Sequence, residues 1–330
     1  YLLYYNMCTM KFTKYIILIF IIPIYCQFGK NIVQYKSFDW NYIQSKYFDI
    51  YFYDLPNENN ENTINTNAEF VANESLKAYD VISNAIGWKL KNRVPIIVYN
   101  SHNDFQQTNI IDMYMPEGVG GVTELYKNRV VIPFDGNNNQ FKNVIHHELV
   151  HAFINDYIYK GSIQNMQNDD VILIPLWMNE GLAEFLSTPW QTESDMWMRD
   201  LVVNGEKLPK LNELNGYLAY RGGQSVWKYI VEELDTLYAQ GKTEAPSIIA
   251  SIFSAISTSS DLNTALEKAL DLDLESLESL ESGWHKYLKS EYWPDINNRD
   301  YLDDISSTIF DYEKVNSTYD TVVYNKMELL

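Results

Sequence analysis

The chain has 330 residues, with 25 Lys+Arg against 44 Asp+Glu and a formal net charge of −19 at pH 7; so acidic a chain repels phosphate backbones, which argues against nucleic-acid binding. Hydrophobic residues at 46% and charged residues at 21% exclude a disordered or collagen-like chain and supply a core for one large domain or two lobes. The two cysteines, Cys8 and Cys26, are too few and too close to the N-terminus for a disulfide framework.

The first segment reads as an export signal. From a start at Met10 (or Met7), Lys11 and Lys14 form a short basic region, followed by the apolar run 15–25 and then polar Gln27. That run is shorter than the roughly 20 residues of a membrane span, and the pattern is that of a secretory signal peptide over 1–26. The plainer alternative is a buried N-terminal helix or strand. Cleavage after Cys26 leaves Gln27 first, while a lipid on Cys26 would make it the anchored first residue; Tyr25 is a poor neighbour for that. The expected location is the periplasm, envelope or exterior, with envelope or membrane association as a further expectation.

Residues 38–53, rich in aromatic and β-branched types, predict one or two strands, and the Asn-rich stretch 56–67 a surface loop. In 68–86, Phe70, Leu76, Tyr79, Ile82 and Ile86 fall near helical spacing and Gly87 ends the helix. Residues 94–99 predict a strand, Ser101 an N-cap for a short helix through Asn109, and 118–125 with 129–134 a β-hairpin. Helical periods follow over 141–159, 177–187, 193–203, 221–238, 246–257 and 261–291. The Leu-Glu-Ser triplet repeated over 274–282 reads as solvated helix. Strands first and helices later give an α+β protein of two lobes, with an N-terminal lobe over 27–160, a helical lobe over 161–294 and a tail or truncated linker over 295–330.

Of five histidines, three fall in His146-His147-Glu148-Leu149-Val150-His151. His147, Glu148 and His151 spell H-E-x-x-H. On a helix, residues i and i+4 share a face, so both imidazoles can reach one ion, with Glu148 beside the place where a water would sit. Val144, Ile145, Leu149, Val150, Phe153 and Ile154 supply apolar faces; the plainer alternative is a core helix with incidental histidines. Catalytic zinc needs a third protein ligand. Downstream, Pro175-Leu-Trp-Met-Asn-Glu-Gly-Leu-Ala-Glu-Phe185 predicts a helix that presents Glu180 to the ion, with Gly181 admitting a second backbone. Glu184, one turn on, can accept the free N–H of a metal-holding imidazole. An exposed helix face is the alternative for both, opposed by flanking Trp177, Leu182 and Phe185. His146 lies about 100° around the helix from His147, and His102 and His285 read as incidental. The ligand types favour zinc over manganese or cobalt.

These motifs resemble the gluzincin metallopeptidases, and most closely the peptidase-MA-like domains, whose Asn-Glu-Gly glutamate is the third zinc ligand; the Trp-x-Asn-Glu-Gly element is shared with zinc aminopeptidases. Gln27-Phe-Gly-Lys-Asn31, Ser101–Asn109 and Gly118-Val-Gly-Gly-Val-Thr-Glu124 are similar to exported bacterial proteins that carry such a domain ahead of a TolB-like propeller. The resemblance spans about residues 27–294. No propeller follows here, which reads as a truncated chain or a form lacking it. The resemblance implies a thermolysin-like fold, the H-E-x-x-H helix in the sheet-bearing lobe and the third ligand in the helical one. It further implies Tyr220, in Tyr220-Arg-Gly-Gly-Gln-Ser-Val226, as donor to the oxyanion, with Tyr217 as rival. Gly120, Gly121 and Val122 would belong to an edge strand that pairs with substrate. The Gly-x-Met-Glu-Asn element of aminopeptidases is absent, so Glu124 need not bind an amine.

The expectation is a zinc peptidase acting on peptide or protein substrates, with Glu148 as general base. The alternatives are a non-catalytic envelope scaffold on the same fold, opposed by the presence of Glu148, and a hydrolase of a non-peptide bond.

Overall fold

The computed structural model describes residues 33–53, 66–111, 115–161, 172–203, 207–235, 246–272 and 276–297. The expected signal peptide, most of the Asn-rich stretch and the tail beyond 297 lie outside them; Thr66 and Asn67, expected in that loop, open a helix instead. Among the described residues no helix is long and apolar enough to cross a membrane. The protein is mixed α+β and divides into two compact units, Tyr1–Asp80 with Lys89–Gln164 and Val81–Trp88 with Asn165–Leu330.

The first unit is built on a sheet of β1 (Trp40–Gln44), β2 (Phe48–Tyr53), β3 (Val94–Tyr99), β4 (Val122–Glu124) and β5 (Arg129–Pro133) in the order β1-β2-β3-β5-β4. The inner pairings, β2–β3 and β3–β5, are parallel; the outer two are antiparallel. Both faces are buried, which is why the inner strands read as continuous apolar runs. Phe48, Ile50, Ile96, Val98, Val130 and Ile132 fill one face, toward α1 (Thr66–Ile86) and α3 (Asn138–Ile158), where Tyr79 rings meet Phe48 and Phe153. Tyr53, Ile97, Tyr99 and Val131 fill the other with Phe105, Ile111 and Met115.

On that second face, buried Asp104 of α2 (His102–Phe105) accepts from Lys36 Nζ at 2.7 Å and Tyr53 Oη at 2.8 Å, and Gln107 Oε1 accepts the Tyr35 and Lys36 N–H groups. Burial works against the Asp104 charge, but the hydrogen bonds from Lys36 and Tyr53 hold its carboxyl below the usual range. Ser101 caps α2 as expected, though the helix stops at Phe105 because the Gln107 and Thr108 N–H groups bond three residues back, in tight turns, to the Asp104 and Phe105 carbonyls. Leu76, expected on the apolar face of α1, is 38% exposed; the buried face runs through Ala68, Val71, Ser75, Ala78 and Ile82.

The second unit is helical: α4 (Leu176–Ser187), α5 (Thr192–Val203), α6 (Tyr217–Tyr229) continuing as a wide turn over Ile230–Leu234, α7 (Ile248–Ile256), α8 (Leu262–Leu270) and α9 (Ser276–Asn297). Two sequence expectations fail here. The helix expected over 261–291 is broken, because α8 ends at Asp271 with φ +53°. The Leu-Glu-Ser stretch is not simply solvated, since Ser276 and Leu280 are fully buried.

The unit is organised by the crossing of α4 and α6. A Cβ on Gly181 would lie 2.3 Å from the Gly223 carbonyl carbon, and one on Gly223 would lie 2.2 Å from the Trp177 oxygen. Glycine costs a helix about 1 kcal/mol against alanine, and here that cost is the condition for backbone-to-backbone contact. Around the crossing, Trp227 Nε1 donates to the Met178 carbonyl (2.9 Å), Gln224 to the Thr188 carbonyl (3.0 Å) and Trp284 Nε1 to Ser225 Oγ (2.9 Å). Gly223→Ala should therefore destabilise the protein by at least about 1–3 kcal/mol, the range for overpacked cores. Gly118→Ala, where an added Cβ meets nothing within 4 Å, should stay within about 0.5 kcal/mol. Urea unfolding of the two variants beside the parent checks the contrast.

Candidate functional site

In the first unit the candidate chemistry sits on α3. Asn137 caps it, its side chain accepting from the Asn139 and Gln140 N–H groups at 3.0 and 3.2 Å. The helix is buried around most of its circumference, through Ile145, Leu149, Val150, Phe153 and Ile154. Asn143, Val144, His147 and His151 are half-buried and form its more open stripe. One turn apart, the two imidazoles meet edge to face, with Nε2 of His147 and Nε2 of His151 separated by 3.1 Å. With Zn–N bonds of 2.0–2.1 Å and tetrahedral angles, two ligands of one zinc ion lie about 3.4 Å apart, so the pair fits the metal expected there.

Glu148 is 6% exposed. Thr123 Oγ1 lies 2.6 Å from its Oε2 and 2.8 Å from its main-chain oxygen, so the hydroxyl can donate to either. Thr123 belongs to β4, the last strand in the sheet order, and Gly121 brings that strand close to the helix: a Cβ there would lie 2.9 Å from Glu148 Cγ and from Val144 Cγ1. At the other end of the hairpin, Asn128 takes φ +52° and its amide donates to the Ala152 carbonyl at 3.0 Å. The edge strand is thus fixed to α3 at both ends. Of the residues expected to pair with substrate, Val122 opens β4 and packs on the second-face core, Gly121 is half-buried and Gly120 is exposed. Glu124 pairs with Arg129 at 2.9 Å and accepts the Lys127 N–H, so it is committed to the hairpin. A cavity of about 350 Å³, lined by His102, Glu117, Gly120, Asp135 and Val144 among others, opens beside the strand.

His146 is buried and turned away, its Nε2 3.7 Å from Glu74 Oε2. Burial and the charge of Lys142 push it below the ordinary histidine range, against the pull of Glu74. His285 Nε2 contacts the Pro209 carbonyl at 2.8 Å in the second unit.

In that second unit, Glu180 and Glu184 lie one turn apart on α4, both half-buried rather than on an open face. Gly181 does admit a second backbone, that of Gly223. Tyr220 and Tyr217 both lie on α6, which begins at Tyr217 and not at 221 as expected, with Gly222-Gly223 inside the helix. The rivals differ. Tyr217 donates to Glu193 at 2.8 Å and accepts from Arg221 Nε at 3.0 Å, whereas Tyr220 is half-buried one turn before Gly223. Arg221 Nη1 donates to Glu184 Oε2 at 3.0 Å. Sequence reasoning missed Thr123 and Arg221. Thr123 had a signal in its place after Gly120-Gly121, and Arg221 in its adjacency to Tyr220.

No family model, no curated protein and no solved structure matches the chain.

Thr123→Val, which keeps the shape and removes the hydroxyl, should destabilise the protein by about 0.5–1.5 kcal/mol, and Thr123→Ser should recover most of it. Urea unfolding distinguishes the cases: a loss in Thr123→Ser with none in Thr123→Val would assign the effect to methyl packing.

Proposed function

We propose that the protein is a zinc-dependent metallopeptidase, with His147, His151 and Glu180 as the metal ligands, Glu148 as general base and Tyr220 as donor to the developing oxyanion. The observation that carries the reading is the 3.1 Å pair of imidazole nitrogens on the open stripe of α3, with a buried carboxylate one residue along. Two imidazoles and one carboxylate form a donor set able to hold a metal ion and, at three protein ligands, leave a fourth position open. The proposal includes the gluzincin type, the two-lobed thermolysin-like architecture and export to the envelope. These rest on the sequence motifs.

Zinc, when bound, supplies a Lewis acid that acidifies water and polarises a carbonyl. The remaining work falls to side chains. Glu148, held by Thr123, takes the proton of the attacking water and returns it to the leaving amine. The Tyr220 phenol donates to the carbonyl oxygen as charge develops on it; Tyr217, already donating to Glu193, is the weaker candidate. A substrate strand pairs along Gly120-Gly121-Val122, and the neighbouring cavity takes one of its side chains.

The test is metal analysis of chelator-free protein, followed by hydrolysis of a mixed peptide library with and without chelator. One zinc per chain is expected, lost in His147→Ala and His151→Ala, with cleavage that the chelator abolishes. Absence of stoichiometric metal overturns the reading; zinc without cleavage of any peptide turns it toward the scaffold alternative. Glu148→Gln should keep zinc and lose roughly 10²–10⁴-fold in turnover.

Tyr220→Phe should lower kcat by about 10²–10³-fold with zinc content and KM little changed. Steady-state kinetics beside Tyr217→Phe decides between the two phenols, since a collapse confined to Tyr217→Phe moves the role by one turn of α6.

A further inference from the structure

We propose that Arg221 is a positioning residue for this site: it fixes the Glu184 carboxylate, and through it the metal-holding set, while tying the helix of Glu180 to the helix of Tyr220. The inference rests on the zinc reading above and adds to it a residue that no motif assigns.

The geometry is that of a guanidinium with all its edges used. Nη1 lies 3.0 Å from Glu184 Oε2 and 3.4 Å from Ser194 Oγ, Nε lies 3.0 Å from Tyr217 Oη, and Nη2 lies 3.6 Å from Glu193 Oε1. The Arg221 and Glu184 side chains are 15% and 16% exposed. An exposed ion pair is worth little; at this degree of shelter water competes less for either charge, and removing one partner leaves the other poorly solvated. Ser194 is itself fixed, buried and donating to Gln224 Oε1 at 2.9 Å. The planar fork of arginine can hold several partners in set directions, as a lysine ammonium cannot.

The consequence follows from where Glu184 stands. It lies four residues after Glu180, on the same face of α4. A carboxylate that is to accept an imidazole N–H must be held still. Arg221 Nη1, at 3.0 Å from Oε2, holds the half-buried Glu184 carboxylate in one place. Because Arg221 follows Tyr220 directly on α6, the same contact sets the phenol and the third ligand as one piece.

The experiment measures zinc affinity of the full chain by competition with a chromophoric chelator, and thermal midpoints of the metal-free protein. Arg221→Met should weaken zinc about 10–100-fold, the usual effect of losing an outer partner, with Arg221→Lys recovering part of it. Glu193→Gln loosens Arg221 but leaves its contact with Glu184, and should stay within about threefold of the parent. The deciding arm is a double-mutant cycle: with Glu184→Gln already present, Arg221→Met should cost little further affinity, since both changes remove one link. Additive losses, or an Arg221→Met that binds zinc like the parent, overturn the inference while leaving the zinc reading intact. A parent that binds no zinc overturns both. If Arg221→Met does not fold, the cycle is run with Arg221→Lys.

Discussion

A helix can hold a side chain to within a few tenths of an ångström only if its own backbone cannot slide, and in this protein glycine supplies that condition. At Gly181 and Gly223 two helices touch backbone to backbone, with no Cβ between them. The contact is too short for any other residue, so register and crossing point are set together. Glu180 precedes one glycine and Tyr220 lies one turn before the other. The first unit uses the same device. Gly121 lets strand β4 settle against α3 beside Glu148, and the Thr123 hydroxyl two residues on reaches that carboxylate. In each unit, the place of closest approach is also the place of the candidate chemistry.

Charge is handled just as locally. The chain is strongly acidic, yet its inner carboxylates each have a specified partner. Asp104 has Lys36 and Tyr53, Glu124 has Arg129, Glu148 has Thr123 and Glu184 has Arg221. The cations are few, so their placement carries information. Arg221 is held by burial on one side and by Tyr217, Glu184 and Glu193 on the other; burial opposes its charge, and the three partners raise its affinity for the proton above the ordinary arginine value. Two further buried carboxylates also have partners: Asp156 accepts the Lys91 N–H at 3.1 Å, and Glu74 accepts from Lys77 Nζ at 2.6 Å.

What could be read from the sequence was whatever depends on period and composition. The H-E-x-x-H spacing placed His147 and His151 on one face because helical geometry leaves no other choice, and the strand at 94–99 was legible because a buried parallel strand is apolar throughout. The start of α6 was not. Gly216 offers no capping side chain to mark it, and the first turn, Tyr217–Tyr220, carries no apolar period of its own. Leu76 shows the opposite error, an apolar residue at a helical interval that faces outward because Val71, Ser75, Ala78 and Ile82 define the buried stripe instead. The roles of Arg221 and Thr123 were missed for a related reason, despite their positions beside Tyr220 and Gly121. Each acts through a partner 25 to 37 residues away, and nothing in a local pattern names that partner.

The imidazole pair shows what the fold prepares in advance. Two ring nitrogens at 3.1 Å repel through their lone pairs unless a hydrogen lies between them, and which ring would donate depends on the tautomer. A metal needs both lone pairs, so any proton between the rings must leave or move to Nδ1 of its own ring. Proton and metal therefore compete for one space, and the helix sets the size of that space. Neither ring can retreat far: α3 is buried on both sides of the stripe, through Ile145, Leu149, Val150 and Phe153. The rings stand at a separation close to what a tetrahedral ion requires, so on the proposed zinc reading part of the ordering cost of binding is met by the packing of α3.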